Sequence, residues 1–551
     1  MENISTPLCL AMKTKPCRKK IRLMSVGLFA ALQIGAALSL PAQSARPNIL
    51  VIITDDQRFD TVDDYMPRTQ ARIFNEGMRF ANAYATTPLC TPSRSSIMTG
   101  MYASHHRALN NDSTLKVTTL VPRLQQAGYY TGLVGKYINS EDATPKPGYD
   151  YWIGLPSLGN YTNPRLNVNG AWTNHQGYLT YLLRDYVIDF LKKAQERGNQ
   201  PFFLFFNPRT PHTPLEPAPS DTGLYANLPL YRPANYNETD VSDKPAWVQA
   251  KPRFGTAWQQ KVDNERRRQL QMLWSLDLSI DMILDELKNQ GKLDQTAIFY
   301  ISDHGYFWGE HRLTDKGRVY EPAIRAALAW RYPPRVAAGK IEQRLVANID
   351  LAPTIYELAG VPIPDGVDGR SLFQLLQPQP VWRTDLLIEG WPSTQHFSAV
   401  HTERYVYVET KNDRSELYDL AQDPAQLQNK IDDPNFQTVV NDLKLRLQNF
   451  LTSVDEGTPK EPIPSSFTLA QNHPNPFYRA TTIRFTLNRP EHVTLQVYDL
   501  SGRLVATLIN QAMNPGDHAL QFNGPALPNG MYLYRLQAGA LMQQKKLVVL
   551  R

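Results

Sequence analysis

The run NILVIITDD, residues 48–56, is apolar at every position from Ile49 to Ile53 and closes on Asp55 and Asp56. A strand with one wet face alternates apolar and polar residues, so an unbroken apolar run indicates a strand covered on both faces. Three further runs share the pattern: PFFLFFNPRTPH (201–212), TAIFYISDHG (296–305) and AALAWRYPP (326–334). Helical periodicity falls between them, at 68–75, 119–127, 181–196 and 266–287. Strands alternating with helices predict an α/β fold with a mostly parallel sheet flanked by helices. In such sheets ligands gather beyond the carboxyl ends of the strands. Three of the runs deliver polar groups to that edge: Asp55 and Asp56, then His212, then Asp303 and His304.

The 551 residues are enough for two or three domains, with cores that need no covalent staples. With 42% hydrophobic and 20% charged residues, the composition is that of a folded chain and excludes a largely disordered one. At the amino end Lys13, Lys15, Arg18, Lys19, Lys20 and Arg22 precede an apolar run (23–40) and the small-residue stretch LPAQSARP. This is the layout of a signal peptide over 1–45, a retained membrane anchor being the alternative. The leader carries six of the Lys/Arg and one of the Asp/Glu residues, leaving 52 basic against 51 acidic side chains. The net charge of +6 is therefore mostly export signal, and no nucleic-acid partner is expected.

Of the three cysteines, Cys9 and Cys17 lie in the leader, so the mature chain keeps Cys90 alone and can form no internal disulfide. A single thiol is either a buried bystander or a reactive group. Its setting, LCTPSRSSIMTG (89–100), places it near Arg94 in a run of hydroxyl residues.

Beyond the main α/β region (46–380) the pattern changes. SAVHTERYVYVETKNDRSELYDL alternates like antiparallel strands with a tight turn at Asn412 and Asp413, and a helix follows over 435–451. This predicts a small α+β subdomain over 381–455. A proline-rich linker follows at 456–465. Short strands broken by Gly, Pro and Asn then predict a separate all-β sandwich over 466–551.

Acid pairs at two strand ends, with no supply of cysteine, suit a hard cation in oxygen ligands, Ca²⁺ or Mg²⁺ rather than Zn²⁺. One such pair alone reads more simply as strand-end capping.

The segment from Cys90 to Arg94, running into SSIMTG, resembles the signature of the type I sulfatases. GYYTGLVGKYIN (128–139), NPRTPHTPLEPAP (207–219) and SDHGYFWGEHRLTDKGRVYEPAIR (302–325) resemble the further motifs of that family, in order. The resemblance spans about 48–450. It implies an alkaline-phosphatase-like fold and a sulfuric ester hydrolase whose cysteine, here Cys90, is oxidised to formylglycine by a maturation enzyme. It implies Ca²⁺, with Mg²⁺ as the alternative, held by Asp55, Asp56, position 90, Asp303 and His304. Arg94, Lys136 and Lys316 are then expected to neutralise the sulfate, and His212 or Lys316 to protonate the leaving oxygen. Many arylsulfatases place a histidine two residues after the motif lysine; here Ile138 stands there, so His105 and His106 are the candidate auxiliary bases. GKYIN, PLCTPSRSS and RYVYVET resemble the glucosamine-6-sulfatase branch, implying a 6-O-sulfated amino sugar of a glycosaminoglycan. An arylsulfatase, a phosphonate or phosphate-ester hydrolase of the same superfamily, and an inactive glycan-binding relative stay open as alternatives. The tail strings QNHPNPF and YDLSGRLV resemble type IX secretion sorting domains, which implies a secreted or cell-surface enzyme; a carbohydrate-binding or stalk sandwich is the alternative.

Overall fold

The computed structural model describes residues 46–550, apart from 140, 157–158, 393–394, 453–466, 488–489, 500–502, 524–526 and 539–540. The leader with Cys9 and Cys17, and the linker, lie outside the described residues.

Ten strands form the central sheet: β1 (Asn48–Thr54), β2 (Met78–Phe80), β3 (Tyr130–Gly135), β4 (Tyr151–Gly154), β5 (Arg165–Val168), β6 (Ala171–Asn174), β7 (Phe202–Asn207), β8 (Thr296–Ser302), β9 (Leu328–Arg331) and β10 (Lys340–Glu342). Their spatial order is β10-β2-β9-β8-β1-β7-β3-β4-β5-β6. The middle of the sheet, β8-β1-β7-β3-β4, is parallel throughout. Antiparallel pairs extend it on both sides, β9 against β8 and β5 against β4.

Successive side chains of a strand point to opposite faces, and both faces of β1 are covered. Leu50 and Ile52 pack with Leu183, Val187 and Phe190 of one helix and Leu273, Leu276 and Ile280 of another. Ile49, Val51 and Ile53 pack with Ile97, Met98, Leu351 and Ile355 on the other face. The helices concerned are α1 (Cys90–Thr99), α2 (Leu179–Glu196), α3 (Thr256–Asn289) and α4 (Leu351–Ala359). The whole of β1 is buried, as its unbroken apolar run predicts.

Two features depart from the sequence pattern. The last apolar run forms β9, which is antiparallel to its neighbour and not another parallel strand. β3 to β6 carry no clear strand signal, and β3 shows why. In YTGLVG a Cβ at Gly132 would crowd the Phe190 ring of α2, and Gly135, at φ +120°, sits against Asn207 O of β7. Close packing demands glycine at these two positions, and glycine lowers the strand signal.

The small subdomain is an antiparallel meander of β11 (Asp385–Gly390), β12 (Phe397–Thr402), β13 (Tyr405–Thr410) and β14 (Glu416–Asp419). α5 (Gln437–Thr452) buries Val440, Leu443 and Leu447 in the same apolar cluster as Leu387, Ala399 and Val408. In the tail, a three-stranded and a four-stranded antiparallel sheet share one core, Ile483 and Phe485 from the first and Val493, Leu495 and Tyr534 from the second.

Candidate active site

Parallel register brings the two acid-bearing strand ends side by side. Thr54 of β1 lies opposite Ser302 of β8, and the Asp303 N–H donates to Thr54 O at 3.0 Å. Asp55, Asp56, Asp303 and His304 therefore leave the sheet as neighbours, and all four are buried. The Asp56 and His304 N–H groups both donate to Asp303 Oδ1, at 3.1 and 3.0 Å. Lys136 follows β3 two strands away, and its Nζ reaches Asp55 Oδ2 at 2.6 Å.

Helix α1 starts at Cys90 and is buried at all ten positions. Pro92 sits in its first turn, where a backbone N–H has no helical acceptor to lose. Two of its hydroxyl side chains are satisfied by backbone carbonyls, one across the site and one within the helix. Ser93 Oγ donates to Asp303 O, and Thr99 Oγ1 donates to Ser95 O at 2.7 Å. Arg94, also buried, donates from Nε to Asp303 Oδ2 at 3.0 Å and lies 3.6 Å from Asp55 Oδ1.

The thiol of Cys90 is the meeting point. Lys316 Nζ is 3.3 Å from Sγ, His304 Nε2 is 3.4 Å away and Asp56 Oδ1 4.0 Å. Lys316 also pairs with Asp56 Oδ1, and His212 Nε2 is 3.7 Å from Asp56 Oδ2. Every residue expected at the site except His105 and His106 is thus brought into one cluster. The pair lies elsewhere: His105 Nδ1 bonds Asp368 at 2.6 Å, while His106 contacts Ser96 Oγ at 3.1 Å and accepts from the Ala108 N–H. Burial depresses the His106 pKa to about 3, so that imidazole is neutral. Ile138 is turned into the apolar cluster beneath the sheet.

The charges follow from this crowding. Burial opposes ionisation of Asp55, but Lys136, His212 and Arg94 outweigh it and hold the carboxyl well below its usual range. Burial likewise works against the Cys90 thiolate, yet Lys136 and Lys316 lower its pKa well below that of a free thiol. Burial, reinforced by Asp55 and opposed by His304, pushes Asp303 up to about 6. His304 resists charging through burial, but Asp303 and Cys90 raise it to about 9. These last two shifts mark a donor set that attracts positive charge.

A divalent ion fits that set. Asp55 Oδ1 is buried without a hydrogen-bond partner, and His304 Nδ1 lies 2.9 Å from Gly305 O, a bond that turns Nε2 toward the carboxylates. Asp55, Asp56, Cys90 and His212 offer donor atoms within 4.8 Å of one another, as do Cys90, Asp303 and His304. His212 thus stands among the candidate ligands as well as beside the thiol. Two supporting residues give little sequence signal. Asn207 donates to Lys136 O at 2.9 Å, and Asn348 donates to Ser93 Oγ at 2.9 Å, from 255 residues downstream of that serine.

Residues 47–361 match the family model described as Sulfatase, more than half of the chain. The chain belongs to the sulfatase family. Residues 309–453 match the C-terminal model of N-sulphoglucosamine sulphohydrolase, and 472–550 match a secretion system C-terminal sorting domain. The sorting domain marks this sulfatase-family chain for export to the cell surface or beyond. Among relatives, an extracellular sulfatase SULF-1 homolog of Drosophila melanogaster is 31% identical over 76% of this chain and 37% of its own length. The chain thus spans little more than a third of that relative. Human N-acetylglucosamine-6-sulfatase is 32% identical over 63% of this chain and 68% of its own. A protein solved in complex with its substrate D-glucosamine-2-N,6-O-disulfate superposes with a TM-score of 0.66, at 26% identity over 76% of this chain and 99% of that one.

Proposed function

We propose that this chain hydrolyses sulfate monoesters of sulfated saccharides, 6-O-sulfated N-acetylglucosamine or glucosamine units of glycosaminoglycans in particular. The observation that carries this reading is the buried Cys90 thiol at the start of α1, enclosed by Asp56, His304 and Lys316 within 4.0 Å. Names of relatives that act on 6-sulfated amino sugars favour the same substrate.

Asp55, Asp56, Asp303 and His304 would hold the divalent ion, Ca²⁺ by preference for oxygen donors, together with position 90. When bound, that ion supplies a Lewis acid for a sulfate oxygen, and conversion of Cys90 to formylglycine supplies a hydrated aldehyde as nucleophile. The remaining work falls to the chain. Three carboxylates face three basic side chains, Arg94, Lys136 and Lys316, so a divalent ion leaves the site positive toward an anionic ester. Lys136, His212 and Arg94 favour the ionised form of Asp55 against its burial, which keeps a ligand oxygen available. Lys316, held charged against its burial by Asp56 above all, neutralises sulfate at the reacting position. His212, raised by Asp56 and Asp55 despite burial, carries a proton to the leaving sugar oxygen. His105 and His106 have no part in this, since their bonds run to Asp368, Ser96 and Ala108.

The test is release of inorganic sulfate from defined sulfated saccharides, with a mass spectrum of the peptide around position 90. Active protein carrying an unmodified thiol there, or phosphate esters turned over faster than sulfate esters, would overturn the reading.

A further inference from the structure

The segment that carries Lys316 borders a pocket. It encloses about 390 Å³ and is lined by Lys251, Arg253, Phe254, Trp258, Arg312 and Thr314, with no acidic side chain in its wall. The first turn of α3, which begins at this rim, has no acidic residue either. Lys251 and Arg253 are exposed, and Trp258 is 43% exposed, an unusual position for so large an apolar surface. Arg312 has another task. Its guanidinium donates to Glu238 O at 2.8 Å, Thr239 O at 2.8 Å and Lys251 O at 3.0 Å, stapling the Lys251 backbone to the Lys316 segment. That segment holds three non-glycine residues at positive φ, His311 at +51°, Arg312 at +60° and Asp315 at +78°. Such backbone persists only where its surroundings over-determine it. Thr314 on the pocket wall is two residues from Lys316, a separation of at most about 7 Å along the chain. The pocket wall therefore adjoins the segment whose lysine reaches Cys90.

We propose that this pocket is a subsite for an anionic sugar. It receives a sulfate or carboxylate of a sugar neighbouring the one whose ester lies at Cys90, with Lys251 and Arg253 as counter-ions and the Trp258 ring as a stacking face. The proposal rests on the sulfated-saccharide reading above and adds a chain-length requirement to it: the protein reads at least two anionic groups on one glycan.

The test measures binding, not turnover, so it stands apart from the hydrolase assay. Full-length protein bearing Cys90→Ala is titrated by calorimetry with a size-defined sulfated glycosaminoglycan tetrasaccharide at low salt. Adding Lys251→Ala with Arg253→Ala raises Kd about tenfold and flattens its salt dependence. Adding Trp258→Ala raises Kd severalfold and leaves the salt dependence alone. Removing two exposed lysines elsewhere, Lys192→Ala with Lys340→Ala, makes the same change in net charge and shifts Kd less than twofold. Thermal melts of each variant confirm the fold. The proposal is overturned if the Lys251 and Arg253 variant binds no more weakly than the Lys192 and Lys340 variant. It is equally overturned if an uncharged oligosaccharide of the same length binds as tightly as the sulfated one.

Discussion

A buried thiol between two ammonium groups has an unusual balance of forces, and substitution at Cys90 separates chemistry from packing. Cys90→Ala changes only a small side chain at a fully buried position, so the thermal midpoint should stay within a few degrees. Sulfate release should fall on the order of 10⁴-fold or more, as expected when a nucleophile is lost. Chelation makes a second residue-scale prediction, because Asp55 Oδ1 has no hydrogen-bond partner and Asp303 is pushed up to about 6. Dialysis against a strong chelator should abolish sulfate release, and Ca²⁺ or Mg²⁺ should restore it; full activity in chelator would exclude the ion from the reaction. Away from the site, Glu416 accepts from the Tyr320 and Tyr418 hydroxyls while its Oε2 is buried without a partner. Burial raises its pKa from 4.5 to about 7. Below 4.5 it is neutral in both folded and unfolded chains; between 4.5 and about 7 only the unfolded chain ionises, so stability falls as pH rises through that window. The loss is complete above about pH 7 and amounts to roughly 3 kcal/mol. Glu416→Gln keeps the tyrosine bonds and should flatten this slope, as read from urea midpoints at about pH 5 and pH 8.

At the scale of elements, the site depends on strands leaving the sheet in register, and β3 is the sensitive one. Gly135 ends it at φ +120°, against Asn207 O, one residue before Lys136. Gly135→Ala should cost at least about 2 kcal/mol through overlap and backbone strain. It should also lower kcat sharply by displacing Lys136, whereas the same change at the open, exposed Gly198 turn should leave kcat unaltered. The contrast explains what the sequence made legible. β1, β7 and β8 are central strands covered by helices on both sides, so burial wrote unbroken apolar runs into them. The cluster of acids and imidazole was legible for the same reason, because Asp55, Asp56, Asp303 and His304 sit directly at the ends of those runs. β3 was silent because close packing put glycine where a β-branched residue would otherwise stand. The first ten residues of α3 were silent as well: TAWQQKVDNE is solvated on nearly every side, with Val262 its one buried position, so no apolar stripe exists to read. Asn348 and Asn207 were beyond reach for a different reason, since their roles rest on contacts between distant segments that no local pattern records.

Across the whole molecule, the proposed recognition of an anionic glycan would have to come from local charge. Outside residues 1–45 the chain is almost neutral, 52 basic against 51 acidic side chains, so no long-range field gathers sulfated glycans. On the proposed reading that charge is supplied by a divalent ion with Arg94, Lys136 and Lys316 at the Cys90 centre, and by Lys251 and Arg253 at the neighbouring pocket. Among the described residues, the β-sandwich tail contributes none to either site. Among them its seven strands pair only with one another, and its apolar cluster is drawn from residues 469–549. A unit with its own sheets and its own core folds and functions as a module. A chain ending at residue 452, after α5, should therefore keep the kcat/KM of the full protein on soluble saccharides and the thermal midpoint of the sulfatase part within a few degrees. Export should behave in the opposite way. The truncated chain should stay with the cells that make it, while residues 466–551 fused to an unrelated leader-bearing carrier should send that carrier to the surface or the medium, as sulfatase or reporter activity in washed cells and supernatant would record. Loss of catalysis on truncation would mean that the sandwich supports the catalytic fold, and the modular division of the chain would fail.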